Sequence, residues 1–236
     1  MTISPSSSPR LHALIPCAGS GSRAGTEVPK QYQPVAGQPL VVHTLTAFAQ
    51  VRRLASVLVV VAPGDDTLSR LPGLPAQVQV APCGGPTRAA SVLGGLHELR
   101  RRGAAASDWV LVHDAARCLI TPALIDHLID ACLDDPVGGL LAQPLADTLK
   151  HGPEGRVAAT IPREGHWLAQ TPQMFRLGPL ADAIEAAGAA VTDEAGAIEA
   201  AGLQPRLVPG SARNFKVTWP EDFALAQALL ASPKDA

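Results

Sequence analysis

The sequence predicts an α/β fold: a doubly wound, mostly parallel, Rossmann-like sheet with a protruding β-hairpin arm. Three observations predict it. Apolar runs rich in β-branched residues recur at Leu11 to Ala18, Ser56 to Ala62, Val78 to Ala81, Trp109 to Val112 and Gly139 to Ala142, and several are apolar on both faces, as strands covered on both sides must be. Stretches with helical spacing lie between them, and strands alternating with helices of this length imply a parallel sheet wound through crossovers. The alternation stops after Leu145, where hairpin chemistry takes over.

In chain order, Met1 to Arg10 is rich in serine and proline and lacks the apolar centre of a secretory signal, so residues 1–10 read as a disordered leader. Residues 11–236 read as a single domain, since 236 residues suit one large α/β unit and no repeat or internal linker divides them. The run Leu11 to Ala18 empties into Gly19-Ser20-Gly21-Ser22-Arg23, with Lys30 close behind. Glycines let the backbone offer its N–H groups to a ligand, and a guanidinium grips phosphate oxygens in a planar fork. Helices are expected over Pro39 to Gln50, over Thr87 to Arg102 with Val92, Leu96 and Leu99 on one face, and over Pro122 to Leu133, which opens on a Thr121 cap with Pro122 at the first helical position.

Beyond Leu145, Thr148 to His151 and Arg156 to Ile161 flank the turn-forming Gly152-Pro153-Glu154-Gly155. An isolated hairpin is marginal, so residues 147–175 are expected to form a β-arm that packs on a second subunit in a homodimer. Helices over Pro179 to Ala187 and Glu194 to Ala201, a strand near Arg206 to Val208 and a helix over Pro220 to Ala231 complete the chain.

Composition excludes several function classes. A formal net charge of −2 offers no basic face for nucleic acid or for an anionic membrane surface, which points to a small ligand. No apolar run approaches the roughly 18 residues of a membrane span, so a soluble, cytoplasmic protein is expected. Cys17, Cys83, Cys118 and Cys132 lie far apart, without C-x-x-C spacing, and read as reduced thiols and not as a zinc site or disulfide frame.

The first loop formally satisfies the dinucleotide fingerprint G-x-G-x-x-A, but Pro29 and Pro34 interrupt the helix that fingerprint requires, and Gly37 to Leu45 holds no acid at the expected distance. The P-loop pattern fails as well, because Lys30 is neither preceded by Gly nor followed by Ser or Thr. Taken alone, the loop is either a phosphate cradle or a glycine turn with solvated Arg23 and Lys30. Gly84-Gly85 ends a short strand and Arg88-x-x-Ser91 opens the next helix, which converges backbone N–H groups and a hydroxyl on the ligand edge of the sheet. Asp114 ends the strand Trp109 to Val112 one residue after His113, a natural place for a magnesium ligand and also for a turn residue. Among 19 lysines and arginines only four are lysines, so lysine at positions 30 and 216 suggests that a compact point charge is wanted at a phosphate.

Pro16-Cys17-Ala18-Gly19-x-Gly21-x-Arg23 followed by Pro29-Lys30-Gln31-Tyr32 resembles the signature of nucleotidyltransferases that join a nucleotide to a sugar or polyol phosphate. Further blocks follow in register: Gly84-Gly85-x-x-Arg88-x-x-Ser91-Val92, Val112-His113-Asp114-Ala115-Ala116-Arg117, Asp147-Thr148-x-Lys150, Thr171-Pro172-Gln173, Thr192-Asp193-Glu194 and Lys216-Val217-Thr218-x-Pro220-Glu221-Asp222. Together they are most similar to the cytidylyltransferases that act on 2-C-methyl-D-erythritol 4-phosphate in non-mevalonate isoprenoid synthesis. Two places depart from the family pattern: Cys118 stands where Pro is frequent, and Pro86 where an Asp often contributes to the base or ribose site.

The resemblance implies that Pro16, Ala18, Gly19, Gly21, Gly85, Ser91 and Ala115 hold CTP, that Asp114 binds magnesium, and that Thr148, Arg163, Thr192 and Lys216 hold a polyol phosphate. Arg23, Lys30, Arg163 and Lys216 then carry the catalysis, with Arg163 reaching a neighbouring subunit's site. A phosphate oxygen of the acceptor would attack the α-phosphorus of CTP; that oxygen is already anionic, since the second pKa of a phosphate monoester is about 6. No general base is required, and His113 is expected to be structural. Two other readings remain at this stage: a cytidylyltransferase for another polyol phosphate such as ribitol 5-phosphate, and a non-catalytic nucleotide-binding module.

Overall fold

The computed structural model describes residues 8–19, 29–188 and 191–232. Its centre is a seven-stranded sheet. Strand β1 (Leu11–Pro16) leads to a short ribbon of β2 (Pro34–Val35) and β3 (Gln38–Pro39) and then to helix α1 (Leu40–Ala49). There follow β4 (Leu54–Val60), α2 (Thr67–Arg70), β5 (Val78–Ala81), α3 (Arg88–Arg101), β6 (Trp109–Val112), α4 (Pro122–Cys132) and β7 (Gly138–Pro144). After the hairpin β8 (Leu149–His151) and β9 (Ala159–Ile161) come β10 (Trp167–Arg176), α5 (Leu177–Ala187), α6 (Glu194–Ala200), β11 (Arg206–Pro209) and α7 (Pro220–Ala231). Strand order is β11-β7-β10-β6-β1-β4-β5, parallel throughout except for β10.

Alternation along the strands builds two cores. Ala13 and Ile15 of β1, Val57 and Val59 of β4, and Trp109 and Leu111 of β6 face α1 and α4. Leu14, Leu58, Val60, Val110 and Val112 face α3, α5 and α6. Strands buried on both faces therefore read as continuous apolar runs. A third cluster, centred on Val35, Leu40, Ala116, Cys118, Val217 and Ala226, seats α7 against the β6–α4 loop. Among the described residues no helix is long and apolar enough to cross a membrane. All four cysteines are free thiols, and burial pushes Cys17 and Cys132 up to about 12 and Cys118 up to about 11.

The chain winds from β1 to β4 and β5 on one side, then returns to β6 on the other. In such sheets the crevice for a ligand opens beyond the carboxyl ends of the two strands at the reversal. Here those ends are Pro16 and Val112.

The expected arm needs correction at its C-terminal end. The hairpin forms as expected, with Leu149 opposite Ile161 and His151 opposite Ala159, and it stands out almost fully exposed. Of the span 147–175, however, the part from Trp167 onward belongs to β10 and lies in the middle of the sheet, between β6 and β7. Pro172 hides this strand from the sequence, because proline is normally barred from a central strand. It is accommodated because β10–β7 pairing breaks between Ala169 and Gln173, and regular pairing with β6 begins only at Gln173. That irregularity frees Gln170 and Thr171 to make side-chain contacts of their own.

Candidate active site

A cleft of about 560 Å³ opens at the predicted crevice. Its walls are Pro16, Ala18 and Gly19 after β1, Gly85 to Arg88 and Ser91 around the start of α3, Asp114 to Ala116 after β6, and Lys30, Gln31 and Lys216. Thus nine of the expected site residues, Pro16, Ala18, Gly19, Lys30, Gly85, Ser91, Asp114, Ala115 and Lys216, gather at one edge of the sheet. Gly21 and Arg23 lie outside the described residues.

Local packing sets this geometry. A Cβ on Gly84 would stand 2.4 Å from Ala18 Cβ and 2.8 Å from the Val61 carbonyl oxygen, so only glycine lets the loop after β5 approach the end of β1 so closely. Ser91 Oγ accepts from the Gly85 N–H at 3.1 Å and donates to the Thr87 carbonyl at 2.9 Å, which folds the loop onto the first turn of α3. Thr87 caps that helix by accepting from the Ala90 N–H. On the other wall, the buried Gln31 amide donates to the carbonyls of Cys17 at 3.1 Å and Gly19 at 2.9 Å, and the Tyr32 hydroxyl donates to Asp65 at 2.7 Å. Lys30 is thereby carried on an anchored turn, with its ammonium 2.8 Å from the Val217 carbonyl oxygen.

Asp114 is the electrostatic centre. Its Oδ1 accepts from Arg88 Nε at 2.9 Å and its Oδ2 from Lys216 Nζ at 2.9 Å, with Arg117 Nε 3.6 Å from Oδ2. Burial would raise this carboxyl, but Arg88, then Lys216 and Arg117, outweigh it and hold Asp114 far below the usual carboxylate range. Arg88 turns the rest of its fork to Glu194, with Nη1 on Oε1 at 2.6 Å and Nη2 on Oε2 at 3.0 Å. The cluster sets three cations, Arg88, Arg117 and Lys216, against two carboxylates, and Lys30 adds a further positive charge to the cleft. A polyanion would be attracted there.

His113 is a neutral spacer in this wall. Burial, with Arg117 nearby, pushes its ring down to about 3, against the opposing charge of Asp114. Its Nδ1 accepts from the Thr171 hydroxyl at 3.0 Å, and Thr171 Oγ1 in turn accepts from the Asp114 N–H at 3.0 Å. The expected structural role of His113 agrees with these contacts.

A second cavity of about 230 Å³ adjoins the cleft, lined by Arg117, Gln170, Thr171, Gln173 and Thr192 and sharing Arg88, Asp114 and Lys216 with it. Gln173 holds its far side, donating to Asp193 at 2.9 Å and accepting from the Ala195 N–H at 2.7 Å. Thr148 and Arg163 line neither cavity. Both are exposed and belong to the arm, where the Arg163 guanidinium donates to the Ala146 carbonyl.

Sequence reasoning assigned no role to Arg88, Arg117, Glu194, Thr171 or Gln31. Glu194 carried a readable signal: it shares a helical face with Ile198, so its carboxylate had to be buried and paired. Its partner Arg88 lies 106 positions away and could not be deduced.

For magnesium, Asp114 fits as the one protein carboxylate on an ion carried in by a triphosphate, since each of its oxygens keeps a lone pair after accepting from Arg88 or Lys216. Among the described residues there is no cluster of three His, Cys, Asp or Glu suited to a protein-built metal cage.

Comparison with known proteins identifies the family. The family model described as 2-C-methyl-D-erythritol 4-phosphate cytidylyltransferase matches residues 11–232. The 2-C-methyl-D-erythritol 4-phosphate cytidylyltransferase of Burkholderia multivorans is 56% identical over 235 residues, covering 97% of this chain and 99% of its own. The bifunctional enzyme IspD/IspF of Albidiferax ferrireducens is 65% identical over 222 residues; the match covers 94% of this chain and 53% of that protein, so the chain spans about half of that relative's length. Among solved structures, a 4-diphosphocytidyl-2C-methyl-D-erythritol synthase superposes with a TM-score of 0.85 at 39% identity, covering 95% of this chain and 100% of its own. The Thermus thermophilus cytidylyltransferase superposes with a TM-score of 0.78 at 33% identity, covering 94% and 100%. With nearly its whole described length matched both in sequence and in fold, the chain belongs to the 2-C-methyl-D-erythritol 4-phosphate cytidylyltransferase family.

Proposed function

We propose that this enzyme transfers CMP from CTP to 2-C-methyl-D-erythritol 4-phosphate, giving 4-diphosphocytidyl-2-C-methyl-D-erythritol and pyrophosphate, the step of non-mevalonate isoprenoid precursor synthesis that the family performs. The carrying observation is that two cavities meet at the Arg88–Asp114–Lys216 wall: the larger suits a nucleotide and the smaller a polyol phosphate.

The acceptor phosphate is itself the nucleophile, so the protein's task is to bring two polyanions together and offset the charge that develops at the α-phosphorus. Pro16, Ala18, Gly19, Gly21, Gly85, Ser91 and Ala115 hold CTP, while Arg23 and Lys30 hold its phosphates. Asp114 would hold the magnesium ion, which when bound supplies charge neutralisation on the triphosphate oxygens. Lys216 and Thr192 take the acceptor on the second side. Thr148 and Arg163 complete that side from a neighbouring subunit, in a homodimer joined through the arm; the exposed hairpin and the exposed Val157 and Leu168 beside it support this. The cytoplasm is the compartment in which four free thiols persist.

The deciding experiment measures pyrophosphate release with CTP across a panel of acceptor phosphates. Turnover on 2-C-methyl-D-erythritol 4-phosphate far above that on ribitol 5-phosphate is expected. Preference for ribitol 5-phosphate would reassign the acceptor, and CTP binding without turnover on any acceptor would leave a non-catalytic nucleotide binder.

A further inference from the structure

Three residues line both cavities: Arg88, Asp114 and Lys216. They form the partition across which acceptor and nucleotide must meet, and they form it as a chain of bonds. Each oxygen of Asp114 accepts from one cation, Oδ1 from Arg88 and Oδ2 from Lys216, both at 2.9 Å. With Oδ1 occupied, the carboxylate cannot rotate to offer both oxygens to the lysine, so the position of the Lys216 ammonium depends on where Arg88 holds Oδ1.

Arg88 is in turn fixed from behind. Its two Nη groups form a fork onto Glu194, whose side chain is only 1% exposed and lines neither cavity. A guanidinium is planar and rigid, so orienting its Nη edge also aims its Nε–H. Lysine at this position would keep the charge and lose the coupling. We propose that Arg88, locked by the buried Glu194, is the positioning residue that fixes the Asp114–Lys216 pair on the partition and so aligns the acceptor side with the nucleotide side. The inference rests on the reading of the two cavities given above; turnover by the unaltered enzyme on CTP and 2-C-methyl-D-erythritol 4-phosphate tests that reading, and only the variants below test the positioning.

Glu194→Gln removes the charge behind Arg88 at nearly constant volume, at a site that touches neither cavity. Its kcat is expected to fall by about 10-fold or more, as misplacement of reacting groups typically does, with a much smaller change in KM for CTP, because Gly85 and Ser91 on the nucleoside side bond to each other and to Thr87 and not to Arg88 or Glu194. Arg88→Lys should show the same split with a larger loss of kcat, and adding Glu194→Gln to Arg88→Lys should lower kcat no further, since both act through one link. A folded Glu194→Gln enzyme with unaltered kcat, or losses that multiply in the double variant, overturns the proposal. Breaking a buried pair can unfold a protein; if Glu194→Gln does not fold, Arg88→Lys decides alone, and an unaltered kcat there, or a loss confined to KM for CTP, overturns it.

Discussion

The ammonium of Lys30 donates to the main-chain carbonyl of Val217 at 2.8 Å, a bond that joins positions 187 residues apart. It draws the turn after the first loop against the segment that carries Lys216, whose own ammonium is bound to Asp114. Two lysines therefore line the cleft on segments joined by this bond, each on a backbone anchored by other contacts: Gln31 and Tyr32 for Lys30, the Val217 N–H to the Ala116 carbonyl for Lys216.

A cation preorganised in this way acts mainly on charge that develops in the transition state. Lys30→Ala should accordingly lose about 10²-fold or more in kcat, with a much smaller change in CTP affinity. Pyrophosphate release and calorimetric CTP binding measure the two separately, and turnover near that of the unaltered enzyme would remove Lys30 from the mechanism.

Arg163 and Thr148 sit on the arm, outside both cavities of their own chain. If they serve a neighbouring subunit, defects in different parts of the site must complement. Arg163→Ala and Lys30→Ala, each strongly impaired alone, should show activity well above that of either variant when unfolded together and refolded as mixed dimers, because one of the two sites in a mixed dimer is intact. Absence of rescue in demonstrably mixed dimers would confine the site to one chain.

The inner parallel strands were legible because they are buried on both faces and their residues say so: Val57 to Val60 and Trp109 to Val112 are all apolar and all buried. Likewise Thr121-Pro122 states where α4 begins. β10 was not legible, since Gln170-Thr171-Pro172 breaks the pattern of a central strand and only the local gap in β10–β7 pairing explains it. The same limit applied in the site. Residues on loops after β1, β5 and β6 could be gathered from the fold class, whereas the Arg88–Glu194 and Lys30–Val217 contacts depend on how remote segments pack, which no local pattern encodes.

Gly84 tests the close approach of two cleft walls. In Gly84→Ala the new Cβ meets Ala18 Cβ and the Val61 carbonyl at distances that backbone cannot absorb without shifting. The expected cost is about 1–3 kcal/mol of stability, read by urea denaturation, together with a raised KM for CTP as Ala18 and Gly85 are pushed apart. Unaltered stability and KM would mean that the loop after β5 relaxes freely.

At the amino ends of β1 and β6, His12 Nδ1 lies 2.8 Å from Ser56 Oγ and its Nε2 lies 3.2 Å from Asp108 Oδ2. The composition is that of a nucleophilic triad, yet Asp108 also accepts from the Arg10 and Ala105 N–H groups, and the cluster serves to pin the chain where the sheet begins. Burial lowers the His12 pKa, against the opposing pull of Asp108, so the fold favours the neutral ring. As pH falls below about 6.5, the unfolded His12 takes up a proton before the folded one does, and stability declines until the folded pKa is passed. Asp108 acts next and with the same sign: burial would raise it, but the N–H donors of Arg10 and Ala105 and the His12 ring hold it below the usual value, so its contribution is present above about 3.9 and is lost as pH falls through the folded pKa. His113, held near 3, adds to the decline in the same window; the difference between chains, not the slope itself, therefore isolates His12. Unfolding free energies by urea titration between about pH 7.5 and pH 5 should fall less steeply for His12→Gln than for the unaltered protein, and parallel slopes would mean that His12 titrates alike in the folded and unfolded chain.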